Sequence, residues 1–359
     1  MTAHANPSAR GDGMPPARMP VPAELRIRRV AVVGTGVIGA SWVAAFLAAG
    51  LDVVATDPAP GAEARLTEAV ERHWPVLTEL GLASGASCKR LRFTADLAEA
   101  LADADFVQEN GPEREDFKID FFARMDALAP PRAILASSSS GLLVSRMQSA
   151  CARPGRVLLG HPFNPPHLIP LVEVIGGERT DAASIDRAMA FYAAIGKRPI
   201  RIRKEVKGHV ANRLQAALWR EAFHLAAEGV ASVEDIDTAI AHGPGLRWAL
   251  LGPFMALDLS GGEGGMAHLL DHLGGPIEQW WLDLGAPRMT PEVKAAVIAG
   301  TAAARHAPRA DIEAARDRLL IGLLQAKARL GEPNAPAGGT GTGAATAAPA
   351  GLASPCTPA

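Results

Sequence analysis

The chain contains, at residues 30–39, the stretch Val30-Ala31-Val32-Val33-Gly34-Thr35-Gly36-Val37-Ile38-Gly39, in which a glycine-rich turn follows an apolar run and opens an apolar helix. In such a turn the first glycine permits the tight bend, the second lets a phosphate approach the backbone, and the third lets helix and strand pack closely. The amino terminus of a helix also attracts anions through its free N–H groups and its dipole. Residues 34–39 are therefore predicted to bind the pyrophosphate of a dinucleotide.

A second apolar strand pattern covers residues 51–56 and is followed by Asp57. A carboxylate at this place can accept hydrogen bonds from the ribose hydroxyls of adenosine, and it would repel the 2′-phosphate of NADP. NAD is therefore the predicted cofactor. Flavin is the competing dinucleotide for this fold, and the motifs described below argue against it.

Further short apolar runs alternate with helical patterns along the first part of the chain. The strand candidates are Leu91–Thr94, Asp105–Gln108, Ala133–Ala136, Arg156–Gly160, Leu171–Ile175 and Pro199–Ile202. Buried strands that alternate with helices form a parallel sheet covered on both faces. The predicted fold class is therefore α/β, a Rossmann-type, doubly wound, mostly parallel sheet. The closer spacing of the last strands predicts an antiparallel edge.

After Arg203 no strand pattern appears and five or so helical segments follow, one of them starting behind the N-cap candidate Ser232. We predict an NAD-binding Rossmann domain over residues 25–203 and an all-helical substrate and dimerisation domain over residues 204–332. Residues 1–24 and 333–359 are rich in Pro, Gly and Ala and lack periodicity. They are predicted to be a disordered N-terminal extension and a disordered low-complexity tail.

Composition excludes several classes of protein. The 36 Lys and Arg residues against 38 Asp and Glu give a net charge of −2, so no basic stripe for nucleic acid is expected. No apolar run reaches the roughly 18 residues that a membrane-spanning helix needs, and the amino terminus has no apolar segment typical of a secretory signal. Three cysteines are too few for a zinc cluster, and no metal is predicted. A cytoplasmic location is expected.

Several motifs in the second half of the sheet region occur together and in order. A strand pattern ends in Ser137-Ser138-Ser139-Ser140, and Gly160-His161-Pro162-Phe163-Asn164-Pro165 precedes Leu171-Val172-Glu173-Val174. Gly208-His209-Val210-Ala211-Asn212-Arg213 follows in the helical region. This arrangement resembles the 3-hydroxyacyl-CoA dehydrogenase family.

The resemblance implies four catalytic residues. His161 would be the general base for a secondary hydroxyl, Glu173 would orient its ring, and Ser140 and Asn212 would bind the reacting oxygen. Histidine suits this task because its reference pKa lies near neutrality. An isolated histidine and glutamate are more often structural, but their place at strand ends, downstream of a nucleotide turn, favours the catalytic interpretation. Asn212 could instead be a solvated or capping residue of the first helical turn.

For the cofactor, the resemblance adds Glu113 and Lys118, with Asn164 toward the nicotinamide end. The sequence departs from the family pattern at Ser138, where Asn is usual, and at Gly141, where a second Ser is common. These departures put the surroundings of Ser140 in doubt.

The segments His242–Ala249, Gly252–Phe254 and Gly261–Met266 resemble the L-carnitine dehydrogenase branch of this family, which implies NAD-dependent oxidation of L-carnitine by a cytoplasmic homodimer. Carnitine carries a carboxylate and a quaternary ammonium, which favour a guanidinium and aromatic faces respectively. The substrate-binding candidates are Arg247, Trp219, Phe223, Trp248 and Phe254. Aromatic residues at helical spacing are also typical of a core or a dimer contact, and Arg247 could equally close a surface ion pair.

Three other functions stay open at this point. A 3-hydroxyacyl-CoA dehydrogenase would need a basic surface for the phosphates of CoA. An L-gulonate-type dehydrogenase would share Arg247 but has no use for an aromatic wall. A non-catalytic, crystallin-like or NAD-sensing protein would need none of the four catalytic candidates, so their joint presence argues against it.

Overall fold

A computed structural model describes residues 20–331 and residue 333. The chain divides into two compact units, the first ending at Val210 and the second beginning at Ala211. Residues 1–19 of the predicted N-terminal extension, and residues 334–359 of the predicted tail, lie outside the described residues. The fold begins earlier than the predicted residue 25, because Val21 packs against the core and a short 3-10 helix spans Ala23–Leu25.

The first unit contains one eight-stranded sheet. In chain order the strands are β1 (Arg29–Val33), β2 (Asp52–Thr56), β3 (Leu91–Thr94), β4 (Phe106–Glu109), β5 (Ile134–Ser137), β6 (Val157–Pro162), β7 (Leu171–Gly176) and β8 (Arg198–Ile202). Their order in the sheet is β3-β2-β1-β4-β5-β6-β7-β8. Pairing is parallel except between β6 and β7. The predicted Rossmann-type sheet and its antiparallel edge are both confirmed.

From residue 20 onward, six α-helices accompany this sheet: α1 (Val37–Ala48), α2 (Ala62–Glu79), α3 (Leu97–Leu101), α4 (Glu115–Leu128), α5 (Val144–Met147) and α6 (Ala182–Ala194). Successive side chains of β1 enter two different cores, since Val30 and Val32 belong to one cluster and Ala31 and Val33 to the other. A strand that is buried on both faces has a continuous run of apolar residues, which is why β1 could be predicted from residues 30–33.

The described part of the second unit contains six α-helices, where five or so were predicted. They are α7 (Ala211–Ala227), α8 (Val233–His242), α9 (Pro244–Ser260), α10 (Gly265–Asp283), α11 (Pro291–Ala303) and α12 (Arg309–Leu330). Ser232 caps α8 as predicted, since its hydroxyl accepts a hydrogen bond from the Asp235 N–H at 3.0 Å. α9 is kinked at Gly252, whose φ is +76°. Among the described residues, no helix combines the length and the apolar character needed to cross a membrane.

Candidate active site

The three glycines of the turn after β1 meet three different requirements. Gly34 has a φ of +83°, a conformation that side chains disfavour. A Cβ at Gly39 would lie 1.9 Å from the Gly34 carbonyl oxygen, so only glycine lets α1 approach the turn. A Cβ at Gly36 would meet nothing within 4 Å. The turn is therefore packed at its first and third glycines and open at the second, as a phosphate-binding turn requires.

Asp57 follows β2 directly and braces the same turn. Its Oδ2 accepts hydrogen bonds from the Thr35 backbone N–H at 2.8 Å and from the Thr35 hydroxyl at 3.1 Å, and its Oδ1 accepts from the Ala59 N–H at 2.9 Å. Burial works to raise the pKa of Asp57, but these hydrogen bonds and the nearby Arg65 outweigh it and lower that pKa. The group is therefore an anion beside the nucleotide turn at neutral pH.

A cavity of about 880 Å³ opens at this edge of the sheet. Gly34, Gly36 and Asp57 line it on the strand side. Phe117 and Phe121, whose rings stack with centroids 4.9 Å apart, line it from α4. A large and partly apolar cleft that ends in a carboxylate fits the adenosine half of NAD. The residues present therefore suit the predicted cofactor.

Gly39→Ala and Gly36→Ala form a matched pair that tests this turn. We expect Gly39→Ala to cost about 1–3 kcal/mol of folding stability, because the new methyl group meets backbone, and to weaken NADH binding as the turn opens. Gly36→Ala should keep the melting temperature but weaken NADH binding, since its methyl group projects into the phosphate site. Thermal melts and NADH fluorescence titrations measure both effects. Unchanged NADH affinity in Gly36→Ala would place the pyrophosphate elsewhere.

His161 and Glu173 form a buried hydrogen-bonded pair. The two residues lie directly opposite each other in the antiparallel ladder of β6 and β7. The ring Nδ1 of His161 lies 2.8 Å from Glu173 Oε2, and the side chains are 5% and 0% exposed. Because the carboxylate accepts, Nδ1 carries the proton and the lone pair of Nε2 is free to take another. The structure thus brings the predicted base and its partner together. It also places His161 within β6 rather than in the turn after Gly160.

Residues 209 and 210 lie against the predicted pair, the first through its ring and the second through its backbone N–H. The Val210 N–H donates to Glu173 Oε1 at 2.9 Å, so each oxygen of that carboxylate has a partner. His209 Nε2 lies 3.2 Å from the Ser139 carbonyl oxygen, and its ring centroid is 5.2 Å from that of His161. Burial lowers the pKa of His209. A neutral imidazole therefore lies beside the proposed base and adds no positive charge there.

Glu113 holds the serine turn after β5. Its Oε1 accepts hydrogen bonds from the Ser139 hydroxyl at 2.7 Å, the Ser140 N–H at 2.9 Å and the Gly141 N–H at 3.0 Å. Ser140 itself is exposed. Glu113 thus shapes the loop that presents Ser140. Its predicted contact with the cofactor stays a prediction.

Lys118 lies inside the fold rather than on the cavity wall. Its ammonium donates to both oxygens of Glu109, each at 2.7 Å, and the two side chains are 1% and 0% exposed. A buried carboxylate needs such a partner because an unpaired charge in the interior is costly. Asn164, by contrast, is exposed on the loop between β6 and β7. Cofactor binding by Lys118 and by Asn164 stays a prediction. The position of Lys118 favours an indirect role, in which it neutralises the buried Glu109 carboxylate.

The remaining predicted residues belong to the helical unit. Asn212 lies in the first turn of α7, which also carries Trp219 and Phe223. α9 carries the other three candidates, Arg247, Trp248 and Phe254. Trp219, Trp248 and Phe254 are 49%, 41% and 77% exposed, respectively. Trp219, Trp248 and Phe254 are therefore not core residues. Of the two structural explanations for aromatic residues at helical spacing, a core and a dimer contact, only the second remains for them.

The sequence prediction overlooked several polar residues behind the site. Gln108 and Glu109 are fully buried in β4, and Asn110 directly follows them. The sequence does contain an indication of this cluster, since two polar residues end a strand whose other residues are apolar. His209 is part of the motif at residues 208–213, but no function was predicted for it from the sequence. Within the described ranges, no group of three or more His, Cys, Asp or Glu residues could hold a metal ion.

Comparison with known proteins agrees with this geometry. The family 3-hydroxyacyl-CoA dehydrogenase, NAD binding domain, matches residues 29–206, and the corresponding C-terminal domain matches residues 208–286. An L-carnitine dehydrogenase of Streptomyces coelicolor is 55% identical over 306 residues, which cover 85% of this chain and 96% of the relative. Another, from Pseudomonas aeruginosa, is 48% identical over 84% of this chain and 94% of its own length.

Solved structures show the same relationship. A crystal structure of 5-formyl-3-hydroxy-2-methylpyridine 4-carboxylic acid 5-dehydrogenase, described as an NAD+-dependent dismutase, is 31% identical with a TM-score of 0.73. It covers 84% of this chain and 99% of its own. A diketoreductase is 29% identical with a TM-score of 0.56, over 70% of this chain and 94% of its own. The chain therefore belongs to the 3-hydroxyacyl-CoA dehydrogenase family and is an NAD-dependent oxidoreductase acting on a CH–OH group.

Proposed function

We propose that this protein oxidises the 3-hydroxyl of L-carnitine to 3-dehydrocarnitine with NAD as the hydride acceptor. The observation that carries the substrate assignment is the extended similarity to curated L-carnitine dehydrogenases, which spans the sheet unit and the helical unit. The buried pair of His161 and Glu173 supports the same chemistry from the structure. Every alcohol oxidation of this type needs one group that accepts a proton near neutral pH.

In the proposed reaction, bound NAD supplies the hydride acceptor, and this chain's residues manage the proton. His161 Nε2 takes the hydroxyl proton of the substrate. Glu173 holds the ring in the tautomer with Nδ1 protonated and stabilises the imidazolium that forms. Ser140 and Asn212 are proposed to hydrogen-bond the reacting oxygen. The glycine turn and Asp57 are proposed to bind the pyrophosphate and the adenosine ribose.

Recognition of carnitine is proposed to rest on the helical unit. Arg247 is exposed on α9, and its guanidinium suits a carboxylate because two N–H groups can bind both oxygens. Each aromatic face contributes about 0.5–2 kcal/mol to holding a quaternary ammonium. We assign this role to Trp219, Phe223, Trp248 and Phe254, of which three are exposed. An L-gulonate-type substrate would need only the guanidinium.

A homodimer and a cytoplasmic location are also proposed. α10 exposes Trp280, Trp281 and Leu282 by 63%, 67% and 81%, respectively. Large aromatic and aliphatic side chains exposed to this degree are often covered by another subunit. Light scattering on the purified chain measures its mass in solution and so tests the dimer.

A substrate panel tests the proposed function. We expect NADH formation with L-carnitine and at most slow NADH formation with 3-hydroxybutyryl-CoA and L-gulonate, in parallel assays at alkaline pH, where proton release favours oxidation. NADP in place of NAD should support much less activity because of the Asp57 carboxylate. Reaction with the CoA thioester alone would overturn the substrate assignment, and reaction with L-gulonate alone would remove the need for the aromatic residues. No reaction with any of the three would overturn the L-carnitine assignment and indicate another CH–OH substrate.

A further inference from the structure

A buried polar cluster lies directly behind the active site, with the side-chain amide of Gln108 at its centre. Gln108 is 0% exposed in β4. Its Nε2 donates to the Ser138 hydroxyl at 2.8 Å and to the Gly160 carbonyl oxygen at 3.2 Å. Its Oε1 accepts from the Tyr192 hydroxyl at 2.6 Å. One amide therefore joins β4, the serine turn, β6 and α6.

The orientation of this amide is fixed by its partners. A carbonyl oxygen such as that of Gly160 can only accept, so the nitrogen of Gln108 must face it. Burial raises the pKa of Tyr192 well above its ordinary value, so its hydroxyl keeps its proton and donates. A Cβ at residue 160 would lie 1.9 Å from the Tyr192 hydroxyl oxygen, so the glycine there makes room for this bond. Both ends of the amide are thus satisfied in one orientation only.

The cluster continues to the nucleotide turn. Ser138 donates from its hydroxyl to Asn110 Oδ1 at 2.8 Å and also accepts from Trp42 Nε1 at 3.2 Å. Asn110 Nδ2 lies 3.3 Å from the Val33 carbonyl oxygen and 3.4 Å from that of Gly34. A continuous series of hydrogen bonds therefore leads from α6, through Gln108 and Ser138, to the first glycine of the turn.

Gln108 lies where the hydrogen-bonded ladder between β5 and β6 ends, and its side chain connects the two segments beyond that point. The last paired residues of β5 and β6 are Ser137 and Leu159. Beyond that pair the ladder ends, and Gln108 bonds the next residue on each chain segment, Ser138 and Gly160. His161 follows Gly160 directly, and Ser140 lies two residues after Ser138. The amide thus holds together the two segments that carry the proposed base and the proposed oxygen-binding serine.

We propose that Gln108 is a positioning residue, which fixes the strand that carries His161 against the serine turn and, through Ser138 and Asn110, against the glycine turn. It touches neither substrate nor cofactor. The proposal rests on the proposed function, because its effect is read from the oxidation reaction. A misplacement of about 1 Å at a reacting group can cost around a hundredfold in rate, so a loss of this bracing should appear in kcat.

Gln148 offers a matched control for a test by substitution. It is also 0% exposed, and its side-chain amide makes three hydrogen bonds, donating to the Pro154 carbonyl oxygen and the Thr180 hydroxyl and accepting from the Arg179 N–H. Pro154 precedes β6, whereas Gly160 lies near its end, so Gln148 braces the opposite end of that strand. Gln108→Leu and Gln148→Leu each remove three side-chain hydrogen bonds of a fully buried amide, and only the first should affect the active site.

We expect both Leu variants of the full-length chain to melt at a lower temperature than wild type. At saturating NAD and L-carnitine, and well below both melting temperatures, kcat should fall about 10- to 100-fold in Gln108→Leu and remain within about twofold of wild type in Gln148→Leu. The Kd for NADH should change much less than kcat in either variant, because neither glutamine lines the adenosine cavity, although Asn110 of the cluster does. Equal kcat in the two variants would overturn the proposal and leave Gln108 a purely structural residue.

Tyr192→Phe keeps the experiment decisive if Gln108→Leu does not fold. This substitution keeps the aromatic packing and removes only the donor to Gln108 Oε1, so a fall in kcat of about threefold or more is expected. A wild-type kcat in Tyr192→Phe, with a lowered melting temperature, would count against positioning. Failure of the proposed function is distinguishable, because the wild-type chain itself would then make no NADH from L-carnitine. The same comparison would then be made with the substrate of the panel that reacts.

Discussion

His161→Gln is expected to lower kcat about a thousandfold while the Kd for NADH stays close to that of wild type. Proton transfer by a positioned base contributes roughly 10²- to 10⁴-fold to a rate, and the His161 ring is the group that lies 2.8 Å from Glu173 Oε2. Glutamine retains much of the volume of histidine but has no basic nitrogen. Steady-state kinetics with L-carnitine and NADH fluorescence titration measure the two quantities.

His167→Gln is the matched control for this result. His167 is 5% exposed, close to the value for His161, and its Nδ1 lies 2.7 Å from the Ser41 hydroxyl oxygen. We expect this variant to lose stability with a much smaller change in kcat. Turnover at the wild-type level in His161→Gln would show that another group accepts the proton. A loss of NADH binding in the same variant would show instead that the sheet had been disturbed.

Glu173→Gln is expected to reduce kcat by about two to three orders of magnitude, more than its small chemical change suggests. The Val210 N–H needs an acceptor, so the amide oxygen of the new Gln turns toward it. The amide nitrogen then faces His161 Nδ1 and donates to it. This forces the ring into the tautomer with Nε2 protonated, which cannot accept the substrate proton.

Glu173→Ala separates this tautomer effect from the loss of a partner. Without a donor facing Nδ1, His161 can adopt either tautomer, so we expect Glu173→Ala to retain more activity than Glu173→Gln. The pH dependence of kcat/KM and the melting temperature of both variants complete the comparison. If Glu173→Gln proves the more active of the two, the orientation imposed by Val210 does not control the imidazole.

The glycine turn, Asp57 and most strand positions could be predicted because each leaves a local pattern. β3 has the predicted bounds, Leu91–Thr94, and the other strands shift by one or two residues. β6 was predicted to end at Gly160, but it continues to Pro162 because His161 and Pro162 still pair with β7. Proline is disfavoured inside strands, so no local pattern indicated this continuation.

The buried polar contacts could not be predicted from one sequence. Lys118 and Glu109 are nine positions apart, and nothing local shows that their charges neutralise each other inside the fold. Gln108 reaches Gly160 across 52 positions and Tyr192 across 84. Such contacts depend on how sheet and helices assemble. Sequence motifs identify candidate catalytic and cofactor-binding residues. Which buried polar residues hold those candidates in place depends on the tertiary structure.

The cross-strand opposition of His161 and Glu173 has a practical consequence for protein engineering. Their pairing is set by ladder register, so loop-length libraries between residues 163 and 170 can add or delete residues without parting the two side chains. A slip of β7 by a single residue would instead turn Glu173 toward the other face of the sheet. Active variants recovered from such libraries should accordingly preserve the hairpin's alignment and the buried His167 and Leu168 of its connecting segment.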